Sequence, residues 1–155
     1  MKFMNLLKRK FTKFIGFSLI SSIFPFNLLI AATKKILNPN LSKQQKTIMF
    51  KEGTERPFTS ELLHEKRKGF YHCANCGNKL FASTAKFDSG TGWPSFSEAL
   101  PGAFKTKIDY SFGRERVEYH CAKCGAHHGH VFNDGPRESG KRFCNNGLCL
   151  IFKPE

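Results

Sequence analysis

The first 51 residues contain no aspartate or glutamate, yet they carry ten lysines and arginines. The rest of the chain holds fifteen basic and twelve acidic residues, a balance of only +3. Most of the formal charge of +13 therefore belongs to one end. That distribution excludes a nucleic-acid footprint, which needs basic residues clustered on the folded part. A long helical pattern, with apolar residues recurring every three or four positions, is also missing, which excludes a helix bundle. What remains, in 155 residues, is one domain with a short appendage.

The appendage has the composition of a targeting segment. Lys2, Lys8, Arg9, Lys10 and Lys13 precede an apolar stretch over residues 14–32, which is interrupted by Ser18, Ser21, Ser22, Pro25 and Asn27 and closes on Ile30-Ala31-Ala32. A basic head, an apolar middle and small terminal residues predict a cleaved export signal over residues 1–32. The run Lys8-Arg9-Lys10-Phe11-Thr12-Lys13 is similar to a twin-arginine signal with Lys8 in place of the first arginine. A periplasmic destination follows from that reading. The alternatives are an uncleaved membrane anchor, since the stretch is about the ~20 residues a spanning helix needs, and a mitochondrial presequence.

Residues 33–41 read as a linker broken by Asn38-Pro39-Asn40. The domain proper spans residues 42–155. Ser42 with Gln45 three residues on predicts a capping box and a short surface helix to about Lys51, stopped near Gly53. Residues 54–70 suit a loop. From Phe70 onward, short aromatic and aliphatic runs alternate with Gly/Pro/Asn/Asp clusters such as Asn133-Asp134-Gly135-Pro136, the pattern of strands and turns. A mainly β domain of this size buries a limited fraction of its surface, so a metal staple is physically useful.

The heptad Tyr71-His72-Cys73-Ala74-Asn75-Cys76-Gly77 returns as Tyr119-His120-Cys121-Ala122-Lys123-Cys124-Gly125. Cys73, Cys76, Cys121 and Cys124 have the count and spacing of a tetrahedral zinc site. Each following glycine lets the backbone turn its amides toward the sulfurs. Disulfides or a redox-active CxxC pair are the competing readings, and the duplication of the whole heptad favours a symmetric structural site. His72 and His120 read as ordinary strand residues.

Two cysteines are left over. Cys144 lies in Lys141-Arg142-Phe143-Cys144-Asn145-Asn146, downstream of His127-His128-Gly129-His130-Val131-Phe132. Cationic and donor-rich neighbours lower a thiol pKa and make it a nucleophile. Three histidines in four residues, with no second zinc set to explain them, point to chemistry at Cys144.

At this point the chain resembles the B-type methionine-R-sulfoxide reductases, the SelR family. The resemblance runs from about residue 40 to the C-terminus. It rests on Gly53-Thr54-Glu55-Arg56-Pro57-Phe58, the two CxxCG pairs, the segment from Phe87 to Phe96, the histidine motif, and Arg142-Phe143-Cys144-Asn145-Asn146. It implies a mainly β fold of two antiparallel sheets with short N-terminal helices, stapled by one structural zinc away from the active site. It also implies that Cys144 attacks methionine-R-sulfoxide in oxidised proteins and becomes a sulfenic acid. By the same resemblance, Trp93 forms a wall for the substrate methyl group. His127, His130 and Asn146 organise the sulfoxide oxygen, and Arg142 and Asp134 support the substrate site around Cys144 and the histidines. Taken alone, Trp93 fits a core position equally well, and Asp134 fits a turn.

Many members of the family carry a second, resolving cysteine where this chain has Thr91. The expectation is therefore recycling by an external thiol reductant, thioredoxin-like or other. Cys149 reads as a packed strand residue, five positions from Cys144 and on the opposite face. Oxidised proteins and a thiol reductant are the expected partners of a monomer, with no nucleic acid. The rival reading from another class is a zinc-bound β module that binds a partner without catalysis.

Overall fold

The computed structural model describes residues 34–111 and 113–155. The expected export signal over residues 1–32 lies outside them, as does the first residue of the expected linker. No helix among the described residues is long and apolar enough to cross a membrane.

Helix α1, Lys43–Lys51, starts at Ser42 with the expected capping box. The Gln45 amide donates to Ser42 Oγ at 3.1 Å, and the Ser42 amide donates to Gln45 Oε1 at 2.9 Å. The helix ends on Glu52 in the left-handed conformation (φ 58°), one residue before the glycine that marked its stop. Ile48 and Met49 are buried, so α1 packs its short apolar face into the core instead of lying on the surface. A 3-10 turn over Glu61–His64, capped by Ser60, interrupts the expected loop.

Strands β1 (Gly69–Cys73) and β2 (Lys79–Ala82) form one antiparallel hairpin. Strands β3 (Lys86–Phe87), β4 (Ser95–Phe96), β5 (Phe104–Asp109), β6 (Arg116–Cys121), β7 (His127–Phe132) and β8 (Arg142–Asn145) belong to a second sheet in the order β3-β4-β8-β7-β6-β5. Strand β9 (Leu150–Pro154) returns to β1, giving a three-stranded sheet β2-β1-β9. All pairings are antiparallel. The fold is thus mainly β with two antiparallel sheets, as expected.

Phe81 on β2 joins the sheets. It stacks on Phe96 of β4 with centroids 4.0 Å apart and planes at 7°, and it also meets Phe104, Tyr119 and Phe143 of the larger sheet. Such pairs add about 0.5–1.5 kcal/mol each beyond area burial. Residues 34–41 lie along the cysteine knuckles. Asn75 Oδ1 accepts from the Leu37 and Asn38 amides, Asn75 Nδ2 donates to the Lys35 carbonyl, and the Lys35 amide reaches the Cys124 carbonyl. The expected linker is a strap, because Asn75 offers its backbone both an acceptor and a donor.

Candidate active site and metal centre

The two heptads build the same knuckle twice. Gly77 and Gly125 both have φ of 71°, a left-handed conformation that favours glycine. Each donates its amide to the first cysteine's carbonyl, at 2.8 and 2.9 Å. One knuckle ends β1 and the other ends β6, so the four cysteines meet between the two sheets. All six cysteines are free thiols. The four sulfurs of Cys73, Cys76, Cys121 and Cys124 lie within 4.8 Å of one another, with Cys73–Cys124 at 3.8 Å and Cys76–Cys121 at 3.6 Å. A metal–sulfur bond of ~2.3 Å gives a tetrahedron whose edge is about 3.8 Å, so the cluster fits a zinc-sized cation. Backbone amides of Asn78, Lys123 and Cys124 donate to the sulfurs of Cys76 and Cys121. Hydrogen bonding to Cys121 and Cys124, with burial, raises the Cys73 thiol, and burial takes Cys76 up to about 12. A divalent cation reverses that preference, because a coordinated thiol is deprotonated. Buried His128, held down to about 4 by burial and so neutral, lies with Nε2 3.4 Å from the Cys73 sulfur.

Cys144 sits on β8 at a cavity of about 200 Å3, also lined by Trp93, His130, Phe132, Asn146 and Arg116. Register explains the grouping. Ser95 on β4 pairs with Cys144 on β8, Cys144 with His130 on β7, His130 with Glu118 on β6, and Glu118 with Lys107 on β5. Directly opposed residues of antiparallel strands project to the same face, so one row crosses five strands and carries the polar groups. Gly129 stands beside that row for a steric reason: a Cβ there would collide with the Cys144 carbonyl oxygen.

His130 and His127 are each oriented by a carboxylate. His130 Nε2 donates to Asp109 Oδ2 at 2.8 Å, and Arg116 donates to the same oxygen at 2.6 Å. Burial lowers the His130 pKa despite Asp109, so the ring is neutral near pH 7 and its Nδ1 is an acceptor. His127 Nδ1 donates to Glu118 Oε1 at 2.8 Å, and Lys107 meets the other Glu118 oxygen at 3.1 Å. His127 is buried behind His130, with ring centroids 5.6 Å apart, and is not among the cavity-lining residues.

Arg142 and Asp134 also stand behind the cavity wall. They form a two-point ion pair at 2.8 and 2.8 Å, and the guanidinium lies 4.6 Å over the Phe132 ring. Arg142 also hydrogen-bonds Cys144, as does Thr91. Burial raises the Cys144 thiol, while the charge and hydrogen bond of Arg142 and the hydroxyl of Thr91 pull it back only in part. The neighbourhood was expected to lower this pKa, and burial outweighs it. Cys149 ends a 3-10 turn over Gly147–Cys149, one residue before β9, and is fully buried. The strand expected there begins later because Glu55 caps the turn, accepting from the Gly147 and Leu148 amides at 2.5 and 3.0 Å.

Glu55, Asp109, Glu118, Thr91 and Tyr119 were not foreseen as site residues. Tyr119 holds the Cys144 backbone, its hydroxyl donating to the Cys144 carbonyl at 3.1 Å. An acid inside the strand pattern Arg116-Val117-Glu118-Tyr119-His120-Cys121 was the one available signal, since acids are depleted from strands.

A family model described as the SelR domain matches residues 41–154. The peptide methionine sulfoxide reductase MsrB of Methanosarcina barkeri is 47% identical over 123 residues, covering 79% of this chain and 84% of that protein. The MsrB of Variovorax paradoxus is 56% identical over 102 residues, covering 65% of this chain and 75% of that protein. The mitochondrial methionine-R-sulfoxide reductase B3 of Mus musculus is 43% identical over 129 residues, covering 83% of this chain and 51% of that protein. Among solved structures, the Mis18 "Yippee-like" domain overlaps 57% of this chain with a TM-score of 0.48 and 16% identity, too distant to bear on fold or function.

Proposed function

The chain belongs to the SelR domain family and is a peptide methionine sulfoxide reductase, and we propose that it reduces the R epimer of methionine sulfoxide through Cys144. One observation carries the reading: Cys144 stands in a single cavity with an indole, a neutral imidazole and an amide. Three distinct contacts select an epimer: methyl to Trp93, oxygen to the Asn146 amide and, once its Nδ1 has taken up the thiol proton, to His130, and sulfur to Cys144.

The Cys144 sulfur bonds to the sulfoxide sulfur, and the thiol proton passes to the sulfoxide oxygen. The hydroxyl then transfers to the Cys144 sulfur as the substrate S–O bond and the bond between the two sulfurs break, giving methionine and a sulfenic acid, with the cysteine oxidised by two electrons and the substrate reduced by two. A raised thiol pKa suits this chemistry, because the proton held on Cys144 is the one the oxygen needs. His130 Nδ1, as an acceptor, holds it in transit. An external thiol then condenses with the sulfenic acid, releasing water, and a second thiol reduces the mixed disulfide. Thr91 leaves no resolving cysteine beside Cys144, and buried Cys149 does not offer one.

Cys73, Cys76, Cys121 and Cys124 hold one zinc ion, which ties the sheets together and supplies no reactive chemistry. Export through residues 1–32, with a periplasmic site of action on oxidised proteins as a monomer, completes the proposal. The non-catalytic binding module is set aside, because such a module has no use for a nucleophile in a cavity. The test is reduction of peptides bearing R- or S-methionine sulfoxide by the parent and by Cys144→Ser. Turnover of the R peptide alone, lost in the variant, is expected. Equal rates on the two epimers, or activity that survives the substitution, would sink the assignment.

A further inference from the structure

The segment over residues 53–58 was singled out as a motif, yet no step of the chemistry uses it. Its Glu55 is only 2% exposed and makes four hydrogen bonds to the two loops that flank Cys144. Its carbonyl accepts from Trp93 Nε1 at 3.1 Å, and its amide donates to Asn146 Oδ1 at 3.0 Å. Its carboxylate accepts from the amides of Gly147 and Leu148 at 2.5 and 3.0 Å. One buried residue thus holds the indole, the Asn146 side chain and the turn that follows the nucleophile.

Asn146 occupies the N-cap of that turn, where an asparagine side chain ordinarily folds back onto the exposed amides. Here it makes no such bond. The Glu55 carboxylate takes the cap's role, and Asn146 is released: Oδ1 accepts from Glu55, one Nδ2 hydrogen goes to the His128 carbonyl at 2.9 Å, and the second hydrogen remains for the cavity. Without Glu55, the cheapest partner for the bare amides is the Asn146 side chain itself, which would leave the cavity. Gly147 belongs to the same design, since a Cβ there would collide with Ser60 Oγ and crowd Glu55 Oε1 at 3.3 Å.

We propose that Glu55 is a positioning residue: by capping the Gly147–Cys149 turn in place of Asn146, it sets Asn146 and Trp93 at the distances Cys144 needs. The proposal rests on the reductase reading, but its test does not stand or fall with it.

Trp93 is the single tryptophan of the chain, so indole emission reports on this clamp directly. Glu55→Gln keeps one acceptor but turns an NH2 toward the second amide. Glu55→Asp keeps the charge but withdraws it by one methylene. In zinc-loaded protein that unfolds cooperatively, both variants are expected to lose about tenfold in kcat, as misplacement of reacting groups costs, with a smaller change in KM and a red-shifted emission. Parent-like kcat and emission in both variants overturn the proposal. So does an Asp variant that behaves as the parent, because charge and not position would then be what matters. Loss of activity only in proportion to unfolded protein also overturns it, and where the Gln variant does not fold, the Asp variant decides. If the parent itself fails to reduce methionine sulfoxide, the reductase reading falls, while emission in the same three proteins still judges Glu55.

Discussion

The cysteines between the sheets and the cysteine at the cavity share a residue type, yet they are prepared for opposite tasks. Around Cys73, Cys76, Cys121 and Cys124 the neighbours are the other sulfurs, backbone amides and, at Cys73, the His128 ring, so each sulfur has three partners in holding one cation. Around Cys144 the nearest groups are Arg142, Thr91 and an open cavity. Burial raises the Cys76 thiol in the one place and the Cys144 thiol in the other. What differs is the partner that opposes burial: a metal ion can offset it for four sulfurs at once, whereas a guanidinium and a hydroxyl offset it in part for one. A cysteine becomes a ligand or a nucleophile through its neighbours.

The strongest way to break the comparison is to empty the frame. Chelation of zinc, or Cys121→Ser, removes an interaction whose binding free energy is on the order of 10 kcal/mol in small structural sites. The expected outcome is loss of the cooperative unfolding transition together with activity, followed by calorimetry and zinc analysis. Protein that stays folded and active without metal would show that Phe81 and its stacked partners hold the sheets by themselves.

Next in size is Cys144→Ser. On the proposed mechanism, removal of this thiol is expected to reduce R-sulfoxide turnover by about a thousandfold or more, roughly 4 kcal/mol. Zinc content and melting temperature should stay those of the parent, because Cys144 is not part of the frame. A variant that lost zinc would blur the division between the two sets of cysteines.

The division itself was legible in the sequence, because both halves of it are local. A CxxCG knuckle is closed by its own glycine, and its repetition announces a shared centre. The motif around Cys144 likewise lies within a few residues of chain. The supports were not legible, because strand register chooses them. Nothing near Asp109 or Glu118 says that β5 and β6 will place them against His130 and His127. Asn75 departs from its repeat partner Lys123 without revealing that it ties down the N-terminal strap. Glu55 lies 91 residues before Asn146, and only the folded chain makes it a cap. The same cap converts the expected start of β9 into a turn.

A sharper probe of the cavity half is Arg142→Ala. Burial raises the Cys144 thiol and Arg142 opposes that rise, so removing the guanidinium moves the pKa further up. At any pH below both values the thiolate fraction falls, and a pKa higher by one means a tenfold loss of thiolate, about 1.4 kcal/mol. The alkylation rate of Cys144 by iodoacetamide, followed against pH, should show its rising limb displaced upward by roughly one pH unit. Asp134 keeps no partner in the variant, but its side chain is 60% exposed and its charge is solvated there. A limb that does not move would mean that Thr91 alone balances the burial of Cys144.

The smallest expected effect concerns the sixth cysteine, which fits neither half of the comparison. Cys149 is fully buried, its thiol is raised well up by burial, and its backbone is engaged on both sides. Its amide donates to the Asn146 carbonyl at 3.0 Å, and its carbonyl accepts from the Ala74 amide at 2.9 Å. For Cys149 to meet Cys144, the turn capped by Glu55 would have to open. Cys149→Ala should therefore cost only roughly 1 kcal/mol of stability, as removal of one small buried group does. It should leave thiol-driven turnover unchanged. Denaturant unfolding and multiple-turnover rates measure the two effects separately. A variant that completes its first turnover and then stalls with a thiol reductant would place Cys149 in the chemistry, and the turn around it would have to be a moving part.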